Sequence, residues 1–264
     1  MPNDTPATDP KTKVSRRVRR TGSASHLPAR RVALVDALRG SAVAAMIVYH
    51  LGFDLNYLGW LHYSINSDLR WLTARALILS TFLFSVGASF ALAEVAGTPL
   101  KTQLARILRI LAAALLVTAG SWLAFPNSAI YFGTLHAIAV MSLLLLATPK
   151  GVWPACILGA AALVVGNVYA YEYFDQPGLA WIGLMTRKPV TEDYVPLLPW
   201  FGACLIGYGL TNKLVEHKRF NELAQVNPRP RFLSWMGGHS LAIYLLHQPL
   251  LLGILIPLTK LLKS

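Results

Sequence analysis

Only two cysteines occur in 264 residues, Cys156 and Cys204, each inside an apolar run. They exclude a disulfide framework and lack metal-ligand spacing, so no metal is expected. Charge is scarce as well: 14% of residues are charged, against about a quarter in soluble domains. Acids are the scarcer sign, 12 against 24 Lys and Arg, for a net charge of +12. The basic excess gathers at the amino terminus and between apolar runs, a distribution that argues against nucleic-acid binding. Neither a Gly-rich phosphate loop nor an internal repeat is evident. What the chain has in quantity is hydrophobicity, with 55% apolar residues and a mean hydropathy of +0.48.

Apolar runs able to cross about 30 Å of hydrocarbon, roughly 20 helical residues each, recur at 33–56, 71–94, 104–124, 129–148, 151–170, 197–213 and 232–257. These predict an all-α integral membrane bundle of about seven transmembrane helices, organised as one domain over residues 31–264. The sixth run is the shortest, with Pro196 and Pro199 at its start. Residues 1–30 are polar and basic, with too little apolar surface to order themselves, and read as a flexible tail. Arg16-Arg17 and Arg19-Arg20 resemble a twin-arginine export signal. The next apolar run is distant, carries Asp36 and Arg39, and has no small-residue cleavage site, so an uncleaved first span is expected. Lys101, Arg106, Arg109, Lys150, Lys213, Lys218, Arg219, Arg229 and Arg231 fall on the same side as the tail, which the positive-inside bias makes cytoplasmic. The setting expected is the inner (plasma) membrane, with the lipid bilayer as first partner.

Ionisable groups inside such helices are costly and mark candidate sites. At 1.5 Å per helical residue, His50 lies ~26 Å from the cytoplasmic edge, His247 ~22 Å from it, and His136 ~10 Å from the opposite edge. All three fall in the outer third. Asp54, four residues after His50, shares its helix face, and a carboxylate there can hold one imidazole tautomer for general-base work. Each histidine alone serves equally as an interhelical hydrogen-bond donor. His239 reads as a cap near the cytoplasmic edge, while His26 and His217 sit in polar segments and carry no signal. At the cytoplasmic edge, Asp36 and Arg39 have the spacing of an ion pair. Arg106 and Arg109 share that spacing and fit headgroup anchoring; together with Arg39 they also suit a pocket for a phosphate-rich donor. The loop 171–199 mixes Tyr171, Tyr173, Phe174, Trp181 and Tyr194 with Asp175, Glu192 and Asp193, a composition shared by sugar-binding surfaces and interfacial belts.

Four segments in order carry a resemblance. Arg31-x4-Asp36-x2-Arg39-Gly40, the Ser80 to Ser89 stretch with Gly87, Tyr131-Phe-Gly133-Thr-Leu-His136, and Gly238-His239-Ser240 through Tyr244 to His247-Gln248-Pro249 are similar to the heparan-α-glucosaminide N-acetyltransferase catalytic-domain family. The last segment also resembles the wider multi-pass membrane acyltransferases. The resemblance implies transfer of an acetyl or other acyl group from cytoplasmic acyl-CoA, acetyl-CoA first, to a sugar or glycolipid acceptor on the far side. Its catalytic histidine, in the first extracytoplasmic segment, best matches His62 in the Leu61 to Asn66 segment. The preceding polar position, an asparagine in the lysosomal enzyme, falls at His50, so two histidines compete for the role. The candidates are therefore His62, His50 and Asp54 for catalysis, His136, His247 and Asp36 for substrate contact, and Arg39, Arg106 and Arg109 for the donor. Two other classes fit the residues alone: a permease or flippase using the histidines as a proton relay, and a membrane subunit without chemistry. Transporters often show paired halves with broken spans, and no such symmetry appears.

Overall fold

The structure is a computed structural model that describes residues 32–65, 67–216, 225–226 and 230–263. The basic tail with His26, and also Asn66, His217, Lys218, Arg219 and Arg229, lie outside the described residues. Eight α-helices and no strands occur among the described residues: α1 (Ala33–Tyr57), α2 (Leu69–Val95), α3 (Leu100–Ala124), α4 (Thr134–Ala147), α5 (Val152–Val168), α6 (Phe201–Glu216), α7 (Arg231–Gly238) and α8 (Ser240–Lys263). Four of them, α1, α2, α3 and α8, are long and apolar enough to cross a membrane, while α4 and α5 are shorter apolar helices.

Local chemistry explains the boundaries. Asp36 in the first turn of α1 complements the helix dipole, and α1 gives way to a turn at Gly59, whose φ of +71° suits glycine. The Asp68 carboxylate caps α2 by accepting from the Arg70 backbone N–H at 2.8 Å. The fourth run starts later than its apolar residues suggest, because Ile130 is tied back to α3: its N–H donates to Ser121 Oγ at 2.9 Å and its carbonyl accepts from Thr118 Oγ1 at 2.7 Å.

The predicted seventh span, 232–257, is corrected to two helices that break at His239. The break follows from backbone contact. A Cβ on Gly40 would stand 1.8 Å from the Leu233 carbonyl oxygen, and one on Gly237 would stand 1.8 Å from that of Asp36. Hence α7 lies directly on the first turns of α1, and α8 leaves to pack farther along the same helix. Helices α2 and α6 touch in the same way at Gly87 and Gly207, as membrane helices do when small residues let dispersion replace a hydrophobic drive.

The core is gathered around α2, α4, α5 and α6, with Leu83, Met141, Leu145, Cys204 and Tyr208 fully enclosed. Outward faces stay apolar, including Leu108, Leu115 and Leu116 on α3 and Leu246, Leu250 and Ile254 on α8. That surface is what a bilayer covers.

Candidate active site

At the end of the bundle where α1 starts, Arg39 is held from every side. Its guanidinium donates to Asp36 Oδ1 at 3.3 Å, Ser85 Oγ at 3.3 Å, the Ser85 carbonyl at 3.3 Å and the Gly237 carbonyl at 3.5 Å, and it also bonds Ser89 Oγ. Ser85 and Ser89 stand one turn apart on α2, which places both hydroxyls on the face turned to Arg39. The arginine is only 9% exposed, so those partners offset its desolvation.

Arg39 forms one wall of a cavity of about 880 Å³ that Arg106, Arg109, Asp36 and His239 also line. The three arginines singled out from the sequence thus meet in one space. Farther in, its walls turn apolar with Phe82, Val86, Ile110, Leu135 and Ile138, and Tyr244 also lines it. His239 closes α7 as its Nδ1 engages the Trp235 carbonyl at 2.8 Å.

Tyr244 joins this cavity to a second cluster. Its hydroxyl donates to Asp193 Oδ2 at 2.9 Å. The same carboxylate accepts from the Thr134 backbone N–H at 2.7 Å and from Thr134 Oγ1 at 3.2 Å, so three donors fix it at the start of α4. A Cβ on Gly133 would fall 2.4 Å from Asp193 Oδ2, which makes glycine the residue that admits the carboxylate. Asp193 also acts electrostatically on His50, His136, His247 and Lys188.

The rings of His50 and His247 lie with centroids 5.0 Å apart, tilted by 56°, and the Tyr244 ring lies 5.6 Å from that of His247. Nδ1 of His247 engages the Tyr244 carbonyl at 2.7 Å. A carbonyl can only accept, so Nδ1 carries the proton, and the neutral ring keeps a bare lone pair on Nε2. His136 differs. Its Nδ1 accepts from the Gly133 N–H at 3.3 Å, which leaves Nε2–H to donate to Thr118 Oγ1 at 3.2 Å. Its Nδ1 is thus occupied at the start of α4 and its Nε2 in tying α4 to α3.

Asp54 shares a helix face with His50, yet its hydrogen bond runs elsewhere: Oδ1 accepts from Gln248 Nε2 at 2.8 Å. His62 is exposed on the loop between α1 and α2, and among the described residues no hydrogen bond reaches its ring. Asp193 and Gln248 were not singled out as site residues. Asp193 stood out only as one acid in an aromatic loop, and Gln248 carries no charge to draw notice.

Outside the membrane-spanning helices, burial pushes the Tyr194 hydroxyl up to about 12, and that hydroxyl donates to the Ala180 carbonyl at 2.5 Å. Desolvation and then the Arg75 guanidinium hold Lys188 below the usual lysine range, with Asp193 pulling the other way.

The family model described as heparan-alpha-glucosaminide N-acetyltransferase, catalytic, matches residues 31–249. The chain belongs to this family. Every cluster described above falls inside the matched segment, and the acetyltransferase family uses acetyl-CoA as its acetyl donor. Neither the curated proteins nor the solved structures include a match to this chain.

Proposed function

We propose that this heparan-α-glucosaminide N-acetyltransferase relative is a plasma-membrane acyltransferase with seven crossings, α1 to α6 and α8, and its amino terminus in the cytoplasm. It passes an acetyl group from acetyl-CoA, entering at the arginine end, to the amine or hydroxyl of an envelope sugar or glycolipid on the opposite side. The observation that carries this reading is the single cavity with Arg39, Arg106 and Arg109 at one end and Tyr244 farther in.

Arg106 and Arg109 attract the donor's phosphates by charge, and Arg39, already tied to α2 and α7, shapes the mouth. The apolar stretch at Phe82, Ile110 and Ile138 excludes water from the thioester arm. Beyond Tyr244, an imidazole takes the proton from the acceptor's N–H or O–H as that atom attacks the thioester carbonyl, and the CoA thiolate departs. His247 and His50 serve this role from inside the bundle, a reading supported by their neighbouring rings. His62 reaches the acceptor from the watery side, and a histidine that carried the acetyl group itself would split the transfer into two steps. Asp193 balances the positive charge that develops on the imidazoles.

The test uses purified protein in vesicles with radiolabelled acetyl-CoA and an envelope saccharide fraction. Label moving into saccharide, and lost on alanine replacement of His50, His247 or His62, supports the reading. Undiminished transfer in all three variants overturns it. Proton movement without any label transfer would favour the permease instead.

A further inference from the structure

His239 is exposed and lines the arginine cavity, yet neither the donor's phosphates nor its thioester arm calls for an imidazole there. Its ring lies against the Trp235 indole, centroids 4.7 Å apart and planes 32° apart, and Trp235 in turn stacks on Phe232 at 6.2 Å and 15°. These separations are those of favourable aromatic pairs. Positions 232, 235 and 239 have the spacing of one helix face, so α7 carries a column of rings that ends at the cavity wall. The last ring is pinned. Its Nδ1 engages the Trp235 carbonyl at 2.8 Å, and since a carbonyl only accepts, Nδ1 carries the proton. Phe232 and Trp235, both exposed, also suit an interfacial belt; a belt does not account for an imidazole that borders the cavity.

An acyl-CoA has three chemically distinct parts: a purine, phosphates, and a long arm ending in the thioester. Charge at Arg106 and Arg109 suits the phosphates, and the walls at Phe82, Val86, Ile110, Leu135 and Ile138 suit the arm. A purine is held by stacking on a ring. Among the described residues lining the cavity, the rings are Phe82, Tyr244 and His239. Phe82 packs against the core cluster, and Tyr244 is bound to Asp193 through its hydroxyl and lies beside His247. His239 remains. It also stands at the arginine end, because the Gly237 carbonyl, two residues before it, accepts from Arg39 at 3.5 Å.

We propose that the adenine ring of the acyl-CoA donor stacks on His239, braced from behind by Trp235, and that this end of the α7 ring column is the nucleobase subsite of the cavity. The inference rests on the acyl-transfer reading for the identity of the donor. Charge alone at Arg106 and Arg109 attracts any phosphate-rich anion; the stacked base separates a CoA thioester from the others. Stacking uses the face of the base and not its edge, so the subsite selects a large flat ring. His239 touches the donor through that ring and takes no part in proton transfer.

Calorimetric titration of the full-length protein in detergent with adenosine 3′,5′-bisphosphate, the nucleotide end of CoA, reads the subsite without any transfer, and inorganic pyrophosphate serves as the base-free control. His239→Ala is expected to weaken the bisphosphate about tenfold and leave pyrophosphate unchanged, while His239→Phe, which keeps a ring, stays within about threefold of wild type. Equal affinity of wild type and His239→Ala for the bisphosphate overturns the proposal. So does an equal loss for both ligands, which marks His239 as structural, or a wild-type protein that takes up neither. Where His239→Ala does not fold, His239→Leu answers on the same terms. Transfer from acetyl-CoA and from S-acetyl-4′-phosphopantetheine, which lacks the nucleotide, separates this inference from the reading beneath it. A KM raised by His239→Ala for acetyl-CoA alone supports both. The same rise for both donors overturns the subsite and leaves acyl transfer standing. No transfer from either donor, with nucleotide binding still dependent on His239, overturns acyl transfer and leaves the subsite.

Discussion

The arginine-lined cavity and the imidazole cluster beyond Tyr244 are built on opposite terms. Around Arg39 every strong donor has an acceptor: two serines, two carbonyls and Asp36 close on one guanidinium. On the imidazole side, His247 Nε2, Asp54 Oδ2 and Gln248 Oε1 have no hydrogen-bond partner among the described residues. A closed network rigidifies and resists change; an open one accepts a proton or a substrate atom. Under the proposed acyl-transfer function, shape and donor docking fall to the arginine end and chemistry to the imidazole end, and matched substitutions at the two ends are expected to fail in different ways.

The largest expected effect is at the open end. His247→Ala lowers kcat by about 10² to 10⁴, the usual worth of a general base, while leaving KM for acetyl-CoA near its wild-type value. Steady-state transfer kinetics check this, and a kcat within twofold of wild type breaks the contrast between the ends. Next comes Arg39→Ala, which removes the partner of Asp36, Ser85, Ser89 and the Gly237 carbonyl together. A loss of about 3 to 5 kcal/mol is expected, read as a drop in thermal stability in detergent rather than as a clean kinetic defect. A stable Arg39→Ala protein with only a raised KM would show that the closed network serves donor binding and not shape.

How much of this is legible in the sequence differs between the ends for physical reasons. Run length alone locates the spans, because crossing hydrocarbon demands it. The split at His239 is not legible: the Gly237-Gly238 pair is visible, but its cause is contact with Asp36 and Gly40 about 200 residues earlier. The arginine end is readable because Arg39 lies in the first turns of α1, and Arg106 and Arg109 in those of α3, at the same edge, and depth arithmetic brings His50 level with His247. Asp193 is hidden, since a loop acid reaches the site only through Gly133 and the start of α4. Asp54 is expected from spacing to orient His50, and it bonds Gln248 instead, because the choice of partner depends on how α8 is rotated against α1.

Smaller effects sharpen the contrast. Arg106→Ala and Arg109→Ala sit at the exposed rim, where charge acts through screened attraction. Each raises KM for acetyl-CoA by about 3- to 10-fold with kcat unchanged, and salt narrows the gap from wild type. A fall in kcat instead would move these residues into the reacting part of the site.

The smallest effect belongs to the loop that delivers Asp193. Within it Asp175 accepts from Thr186 Oγ1 at 2.7 Å, from the Thr186 N–H at 2.7 Å and from the Arg187 N–H at 3.2 Å. The Thr186 hydroxyl first, and those backbone donors after it, hold the Asp175 carboxyl below the usual carboxylate range. A carboxyl with a depressed folded pKa stabilises the fold fully above its unfolded value of about 3.9 and loses that contribution as pH falls through the lower folded value. Asp175→Asn therefore quickens proteolysis between residues 176 and 187 at neutral pH, removes the acid-dependent increase that wild type shows, and lowers transfer less than twofold. Cleavage rates measured against pH on vesicles check this. A loop equally resistant in both proteins at every pH would mean that Tyr194 and the Asp193 contacts alone hold it over the site.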